Sequence, residues 1–371
     1  MNNIKNKISA YKPHLKKAAT HPPRMLARYW RRSWFTKLVV VLCGLFLLTL
    51  GTMYGIARWY MATEKNKPTE IGVSFIPAYA QSLGLDPQTT MDALINDLGV
   101  RRFRLVSYWD QLEPQKGQYD FSLLDWQFQK AEASHSKITL SLGLRQPRWP
   151  ECHTPQWAIG EPTSQWEPQL NDYITAVVNR YKNSPSLESY QLENEYFLKG
   201  FGLCTNFDRD RLVAEYNLVK ALDPHHTLIV ARSQNALGIS VGDPRPDELG
   251  MSIYKRVWDS AYTHRYLEYP FPAWYYGSVA GLQKIFTGKD TMIHELQAEA
   301  YAPNGKNVVD ISLDEQNKSF DAQRFRDRVK FGKATGMKEM YLWGAEYWYY
   351  RYTILHDPSL WQVAGETFQP K

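Results

Sequence analysis

The chain alternates short apolar runs with stretches whose apolar residues recur at helical spacing. Eight runs read as strands: 71–75 (IGVSF), 101–106 (RRFRLV), 137–144 (KITLSLGL), 186–193 (SLESYQLE), 226–231 (HTLIVA), 250–254 (GMSIY), 291–295 (TMIHE) and 339–344 (EMYLWG). After the first, Asp86 caps a helix with Pro87 at its first position, Met91, Leu94, Ile95 and Leu98 on one face, and Gly99 as the stop. Further helices are expected at 121–133, 168–182, 208–222, 273–286 and 313–335, while the Gly-, Pro- and Asp-rich interval between the fifth and sixth strands leaves room for a short one or none. Repeated strand–helix units imply parallel strands joined by right-handed crossovers, and eight of them imply a closed (β/α)8 TIM barrel, an α/β fold. An open doubly wound sheet would need a Gly-rich turn after its first strand, and IGVSFIPAYA has none.

Ahead of this pattern, residues 38–57 carry no charge, and a helix of that length spans about 30 Å, the thickness of a bilayer core. Trp30, Trp34, Trp59 and Tyr60 flank it as interfacial anchors. Residues 1–37 hold ten Lys or Arg and no acid, against Arg58 alone just after the apolar run. That asymmetry predicts an uncleaved single-pass signal anchor in the cell membrane, with a cytoplasmic amino terminus, a linker over 58–70, and an extracytoplasmic barrel over 71–371. A cleaved signal peptide fits less well, because its charged region would be 37 residues long and no small-x-small site follows. The basic arm also accounts for the net charge of +6: the rest of the chain has 34 basic and 38 acidic residues. A mildly acidic barrel argues against nucleic acid as a partner; the expected partners are a lipid bilayer and a carbohydrate. Oligomeric state is not readable.

Chemistry in a barrel gathers at the carboxyl ends of the strands. There the expected strands present Arg104 (second), Asn194 and Glu195 (fourth), Tyr254 (sixth), Glu295 (seventh) and Trp343 (eighth). Two carboxylates facing each other across a barrel mouth are what acetal hydrolysis requires, one protonated to release the leaving oxygen and one ionised. Glu193 alternates with Glu195, so a regular strand would turn both inward, with Glu193 in a buried polar network below the site.

The motifs VRRFRLVSYWDQLEPQKGQYDFSLLD, QLENEY, TMIHELQAEAY and MYLWGAEYW, in this order over about residues 70–355, resemble the clan A glycoside hydrolases. These are retaining TIM-barrel enzymes that include family 5 cellulases and the β-galactosidases of families 35 and 42. The resemblance implies that Glu195 is the acid/base, Glu295 the nucleophile, Asn194 the partner of the sugar 2-hydroxyl, and Trp343 a sugar platform. Arg104 and Tyr254 would bond Glu295, with Trp109, Glu299 and Glu346 as further substrate contacts and the two carboxyl groups about 5 to 5.5 Å apart. It implies a retaining glycosidase acting on a β-linked extracytoplasmic oligo- or polysaccharide. The alternatives are a membrane-tethered carbohydrate-binding barrel without activity and a transglycosylase. No cofactor is implied, and no metal: His294 has no second His or Asp at ligand spacing. Past the seventh strand, HELQAEAY departs from the β-galactosidase families, which leaves the sugar open.

Aromatic residues make up 14% of the chain, with 13 Trp and 24 Tyr, enough for both core packing and sugar stacking. Trp149 and Trp157 are expected to line outer subsites, and Tyr347, Trp348, Tyr349 and Tyr350 to form a rim around Trp343. Cys43 lies in the apolar run. Cys152 and Cys204 follow the third and fourth strands, neighbours in the barrel, and are expected to form a disulfide outside the cytoplasm; two unpaired thiols are the alternative.

Overall fold

All eight apolar runs form strands that are buried over most of their length, as a parallel sheet covered by helices requires. The computed structural model describes residues 34–198, 200–204, 206–232 and 242–369. The barrel strands are β1 (Glu70–Ser74), β2 (Arg102–Val106), β3 (Lys137–Leu142), β4 (Leu187–Leu192), β5 (Thr227–Arg232), β6 (Glu248–Ile253), β9 (Asp290–Gln297) and β10 (Glu339–Trp343). They pair in parallel in the order β1-β10-β9-β6-β5-β4-β3-β2, and β1 closes on β2. Their ends lie within two residues of the expected ones.

The helical layer follows the expected order. α3 (Pro87–Asn96) begins where Asp86 accepts from Thr89 N at 2.8 Å and buries Met91, Leu94 and Ile95. It follows the short α2 (Pro77–Ser82), and α4 (Trp109–Leu112), α5 (Ser122–Ala133), α6 (Thr163–Tyr181), α7 (Arg209–Leu222) and α8 (Ala273–Thr287) continue the series. The single helix expected over 313–335 is two, α9 (Leu313–Ser319) and α10 (Ala322–Ala334). Phe320 extends between them to bury its ring, and Asp321 caps afresh by accepting from Arg324 N at 2.8 Å. α11 (Ala345–Thr353) and α12 (Ser359–Phe368) end the chain's helices. Most of the interval between β5 and β6, residues 233–241, lies outside the described residues. An antiparallel hairpin, β7 (Arg256–Asp259) with β8 (Arg265–Glu268), stands after β6 and was not expected.

The chain divides into units 1–55 and 56–371. In the first, the described residues are helical, part of α1 (Trp34–Glu64), whose length and composition suffice to cross a membrane; the basic arm to residue 33 lies outside the described residues. In the second, the expected linker over 58–70 is corrected. α1 runs on to Glu64, and Ala57, Tyr60 and Glu64 are buried against the barrel. The sequence of α8 permits this approach: a Cβ on Gly281 would stand 2.7 Å from Ile56 Cγ2 and 3.1 Å from Tyr60 Cβ. Glu64 pairs with Lys284 and Lys67, and both lysines reach Asp290, the first residue of β9. The helix end therefore docks beside the amino ends of the strands. Tyr60→Ala should lower the unfolding free energy of the detergent-solubilised chain by about 3 to 5 kcal/mol, while Lys65→Ala changes it by less than about 0.5 kcal/mol, both read by chemical denaturation.

Candidate active site

β4 stops at Leu192, and the chain then takes left-handed backbone at Glu193 (φ 49°) and Glu195 (φ 44°). Such conformations are costly for non-glycine residues and occur where surrounding bonds impose them. They also break the regular strand alternation, while the expectation that Glu193 belongs to a buried polar network holds. Glu193 is buried in the barrel wall, where it accepts from Leu144 N (2.7 Å), Arg145 N (3.0 Å) and Arg211 Nη1 (2.8 Å). Arg211 also pairs with Glu215 on α7, which ties the turn after β4 to the helix layer.

Arg104, near the middle of β2, is buried and directs its whole guanidinium into the barrel. Nε donates to Gln191 Oε1 (2.5 Å), Nη1 to Glu295 Oε1 (2.9 Å) and Ser74 Oγ (3.2 Å), and Nη2 to Asn194 Oδ1 (2.9 Å). Gln191 Nε2 donates to the same Asn194 oxygen at 3.0 Å. The second oxygen of Glu295 accepts from Tyr254 OH at 2.8 Å. Arg104 and Tyr254 thus compensate the Glu295 carboxylate from two sides.

Glu195 accepts from Ser252 Oγ on β6, and Ser252 lies 3.3 Å from His294 Nε2. Oxygens of Glu195 and Glu295 and a ring nitrogen of His294 lie within 4.8 Å of one another. Burial, then the charge of Glu295, pushes the Glu195 carboxyl up to about 7, against the opposing Ser252 bond and the Arg145 and Arg104 charges. Burial and Arg104 hold His294 well below its ordinary value, so its imidazole is neutral. These three atoms are close enough to share a cation, and Glu295 already pairs with the Arg104 guanidinium.

Above the pair opens a cavity of about 480 Å³, lined by Glu195, Glu295, Tyr254, Glu299, Trp343 and Glu151 among others, a size that suits a small ligand. Trp149 and Phe201 form one wall, with rings 6.3 Å apart, and Trp258 of the hairpin forms another. Gln297, at the end of β9, roots the hairpin by accepting from Lys255 N and Arg256 N, both at 2.9 Å. Trp343 Nε1 donates to Glu299 Oε1 at 2.7 Å. The Arg148 guanidinium packs on the rings of Tyr79 (3.3 Å) and Trp343 (4.5 Å) and pairs with Glu299 at 3.1 Å.

The structure thus brings Glu195, Glu295, Tyr254, Glu299, Trp343 and Trp149 to one cavity, with Asn194 and Arg104 bonded to its acids or to each other. It leaves four expected contacts away from the cavity lining. Trp109 is fully buried, bonds Glu113 at 2.6 Å and packs against Trp157, because α4 folds its ring inward. Trp157 donates to Glu113 O at 2.9 Å in the same cluster. Glu346 is buried at the start of α11 and accepts from Ile76 N. The expected aromatic rim is largely core: Tyr347, Trp348 and Tyr350 are buried, and Trp348 Nε1 donates to Ala298 O at 2.6 Å. The expected Cys152–Cys204 disulfide is present, with Cα atoms 5.4 Å apart. Sequence reading missed Glu151, Arg148, Ser252 and Trp258. The first two lie in RQPRWPECH, whose charges directly after a strand were the available signal.

A closed parallel barrel with a buried acid pair at the carboxyl ends of β4 and β9 defines the class of this protein. The family model Glyco_hydro_42, Beta-galactosidase, matches residues 89–223, just over a third of the chain, a segment that contains Arg104, Asn194 and Glu195 and stops short of Glu295. No curated protein matches. Among solved structures, GH5_18 from Bifidobacterium longum subsp. longum superposes with a TM-score of 0.53 at 11% identity, over 74% of this chain and 69% of that one. Xylanase10C from Cellvibrio japonicus, in complex with xylopentaose, gives 0.52 at 12%, over 81% and 68%. An endo-beta-1,4-xylanase of glycoside hydrolase family 10 from Gloeophyllum trabeum gives 0.50 at 14%, over 75% and 84%. At these identities the likeness is one of fold. Arg104→Ala would strand a buried carboxylate and two amide oxygens, and should cost about 3 to 5 kcal/mol of stability at neutral pH by chemical denaturation.

Proposed function

We propose that this protein is a glycosidase of the retaining kind, cleaving β-linked sugars by double displacement, with Glu295 as nucleophile and Glu195 as acid/base. The observation that carries the reading is the approach of Glu195 and Glu295 oxygens to within 4.8 Å beneath one cavity, in unlike surroundings. Retaining enzymes hold their carboxyl groups about 5 to 5.5 Å apart, and inverting ones leave about 6.5 to 9.5 Å for a water.

In the first step Glu295 attacks the anomeric carbon as the glycosidic bond breaks. Glu195 gives its proton to the leaving oxygen, and a glycosyl ester forms on Glu295. In the second step Glu195, now ionised, takes a proton from water, the hydroxide oxygen bonds to the anomeric carbon, and Glu295 leaves as carboxylate. Arg104 and Tyr254 stand where they stabilise that carboxylate at both ends of the cycle. Asn194, whose oxygen is held by Arg104 and Gln191 and one of whose amide N–H groups donates to Glu151 Oε2, is left with the other N–H to bond the sugar 2-hydroxyl. Trp343 and Trp149 offer flat apolar surface for sugar rings, although Arg148 covers part of Trp343. The β-galactosidase description of the family model makes β-galactosides the first sugars to try.

We further infer that α1 anchors the protein in a membrane with its amino terminus in the cytoplasm and the barrel outside. The basic arm sets the sense, and the disulfide suits an oxidising compartment.

On a panel of aryl β-glycosides the wild-type chain should release product with the anomeric configuration retained, followed by nuclear magnetic resonance; an inverted first product would overturn the mechanism. Glu195→Gln should cut kcat/KM by about 10²- to 10⁴-fold for poor leaving groups, with much less loss for a dinitrophenyl leaving group that needs no proton. Glu295→Gln should abolish turnover of both. Because the acid must be protonated, wild-type kcat/KM should fall as pH rises through about 7, and Glu195→Gln should flatten that limb. Turnover that is unchanged in both variants and lost with a chelator would replace this reading with a metal-dependent one.

A further inference from the structure

One acid of the cavity has no part in the scheme above. Glu151 lies in the loop after β3, is 4% exposed, and lines the cavity with Glu195 and Glu295. Its Oε2 accepts from Asn194 Nδ2 at 3.1 Å. Its nearest cation is Arg145, with Nε at 3.7 Å; the Arg145 guanidinium is buried, has no hydrogen bond among the described residues, and rests against the ring of Phe207. Burial, reinforced by Glu195 and Glu295, pushes the Glu151 carboxyl up to about 8, so it stands beside the acid pair at neutral pH without adding a full charge.

The loop holds this carboxyl from behind. Glu151 takes left-handed backbone (φ 71°), its N–H donates to Arg148 O, and its carbonyl accepts from Gln146 N, both at 2.8 Å. The segment after β4 lies against it. A Cβ on Gly202 would stand 2.7 Å from Glu151 Cβ, so only glycine admits the contact, and Leu203 N donates to Pro150 O at 2.9 Å. The Cys152–Cys204 bond joins the two segments one residue beyond Glu151 and two beyond Gly202.

We propose that Glu151 is a positioning residue of the active site, which fixes the nitrogen end of the Asn194 amide toward the sugar, and that the Cys152–Cys204 bridge holds Glu151 in place. Arg104 and Gln191 grip the oxygen end of that amide and Glu151 grips the nitrogen end, so the plane of the group is set by bonds from β2, β4 and the β3 loop. The inference rests on the glycosidase reading, in which Asn194 meets the 2-hydroxyl.

The test uses the full chain in detergent, with a wild-type aryl β-glycoside substrate and its 2-deoxy counterpart. Glu151→Ala should lower kcat/KM about 10- to 100-fold on the first, mostly in kcat, and less than about 3-fold on the second, because the lost bond acts only through the 2-hydroxyl. Glu151→Gln, whose side-chain oxygen can accept the same bond, should recover most of that loss. Cys204→Ser should reproduce the substrate-dependent loss and add little to Glu151→Ala, as two changes in one linkage do. Equal losses on both substrates, no loss in Glu151→Ala, or a Gln variant no better than the Ala one would overturn the proposal. If the wild type turns over neither substrate, the glycosidase reading fails, and the Asn194 side-chain amide signal in nitrogen-15 spectra still decides for Glu151. A signal displaced in Glu151→Ala and in Cys204→Ser and restored in Glu151→Gln would support the role, and one unmoved by Glu151→Ala would overturn it.

Discussion

A guanidinium buried inside a barrel needs partners for the N–H groups it turns away from water, and Arg104 makes four such bonds to four segments. Ser74 comes from the end of β1, Gln191 from β4, Asn194 from the turn beyond it, and Glu295 from β9. Because one planar group bonds all four, their relative positions are set together. The acid of β9 and the amide of β4 cannot drift apart without stranding a buried charge.

That single cation also meets the two acids differently. Glu295 receives Arg104 and Tyr254 directly, whereas Glu195 has a serine hydroxyl and feels Arg104 only at a distance. Two carboxyls this close cannot both ionise cheaply, so the proton settles on the one with the weaker compensation. His294, neutral and behind Ser252, contributes no charge that would disturb this division. Burial, and then the charge of Glu295, raises the Glu195 carboxyl, while Arg104 pairs directly with Glu295.

Much of this was legible in the sequence, and the failures have physical causes. Apolar runs buried on both faces, separated by amphipathic stretches, revealed all eight strands, and polar residues at their ends pointed to Arg104, Asn194, Glu195, Tyr254, Glu295 and Trp343. Glu193 was read correctly as a member of a buried polar network, but strand alternation cannot foresee the left-handed backbone just past Leu192. Trp109, Glu346 and the Tyr347–Tyr350 group failed because a side chain after a strand end can turn inward as easily as outward, and the decision belongs to α4 and α11. Glu151 and Arg148 showed only as charges directly after a strand, and Ser252 not at all, because their partners lie on segments far along the chain.

The correction at residues 58–70 bears on how the barrel divides its labour. Stability and chemistry need not compete if they occupy opposite ends of the strands. At the amino ends, Tyr60 and Glu64 of α1 close against α8 and the start of β9, and α8 has glycines where the helix comes near. At the carboxyl ends, the backbone is strained at Glu151, Glu193 and Glu195, and buried charges gather around a cavity. Strain of that kind persists only on a scaffold held elsewhere. The end of α1, read from composition as a tether, is packed into the scaffold that carries the acid rim.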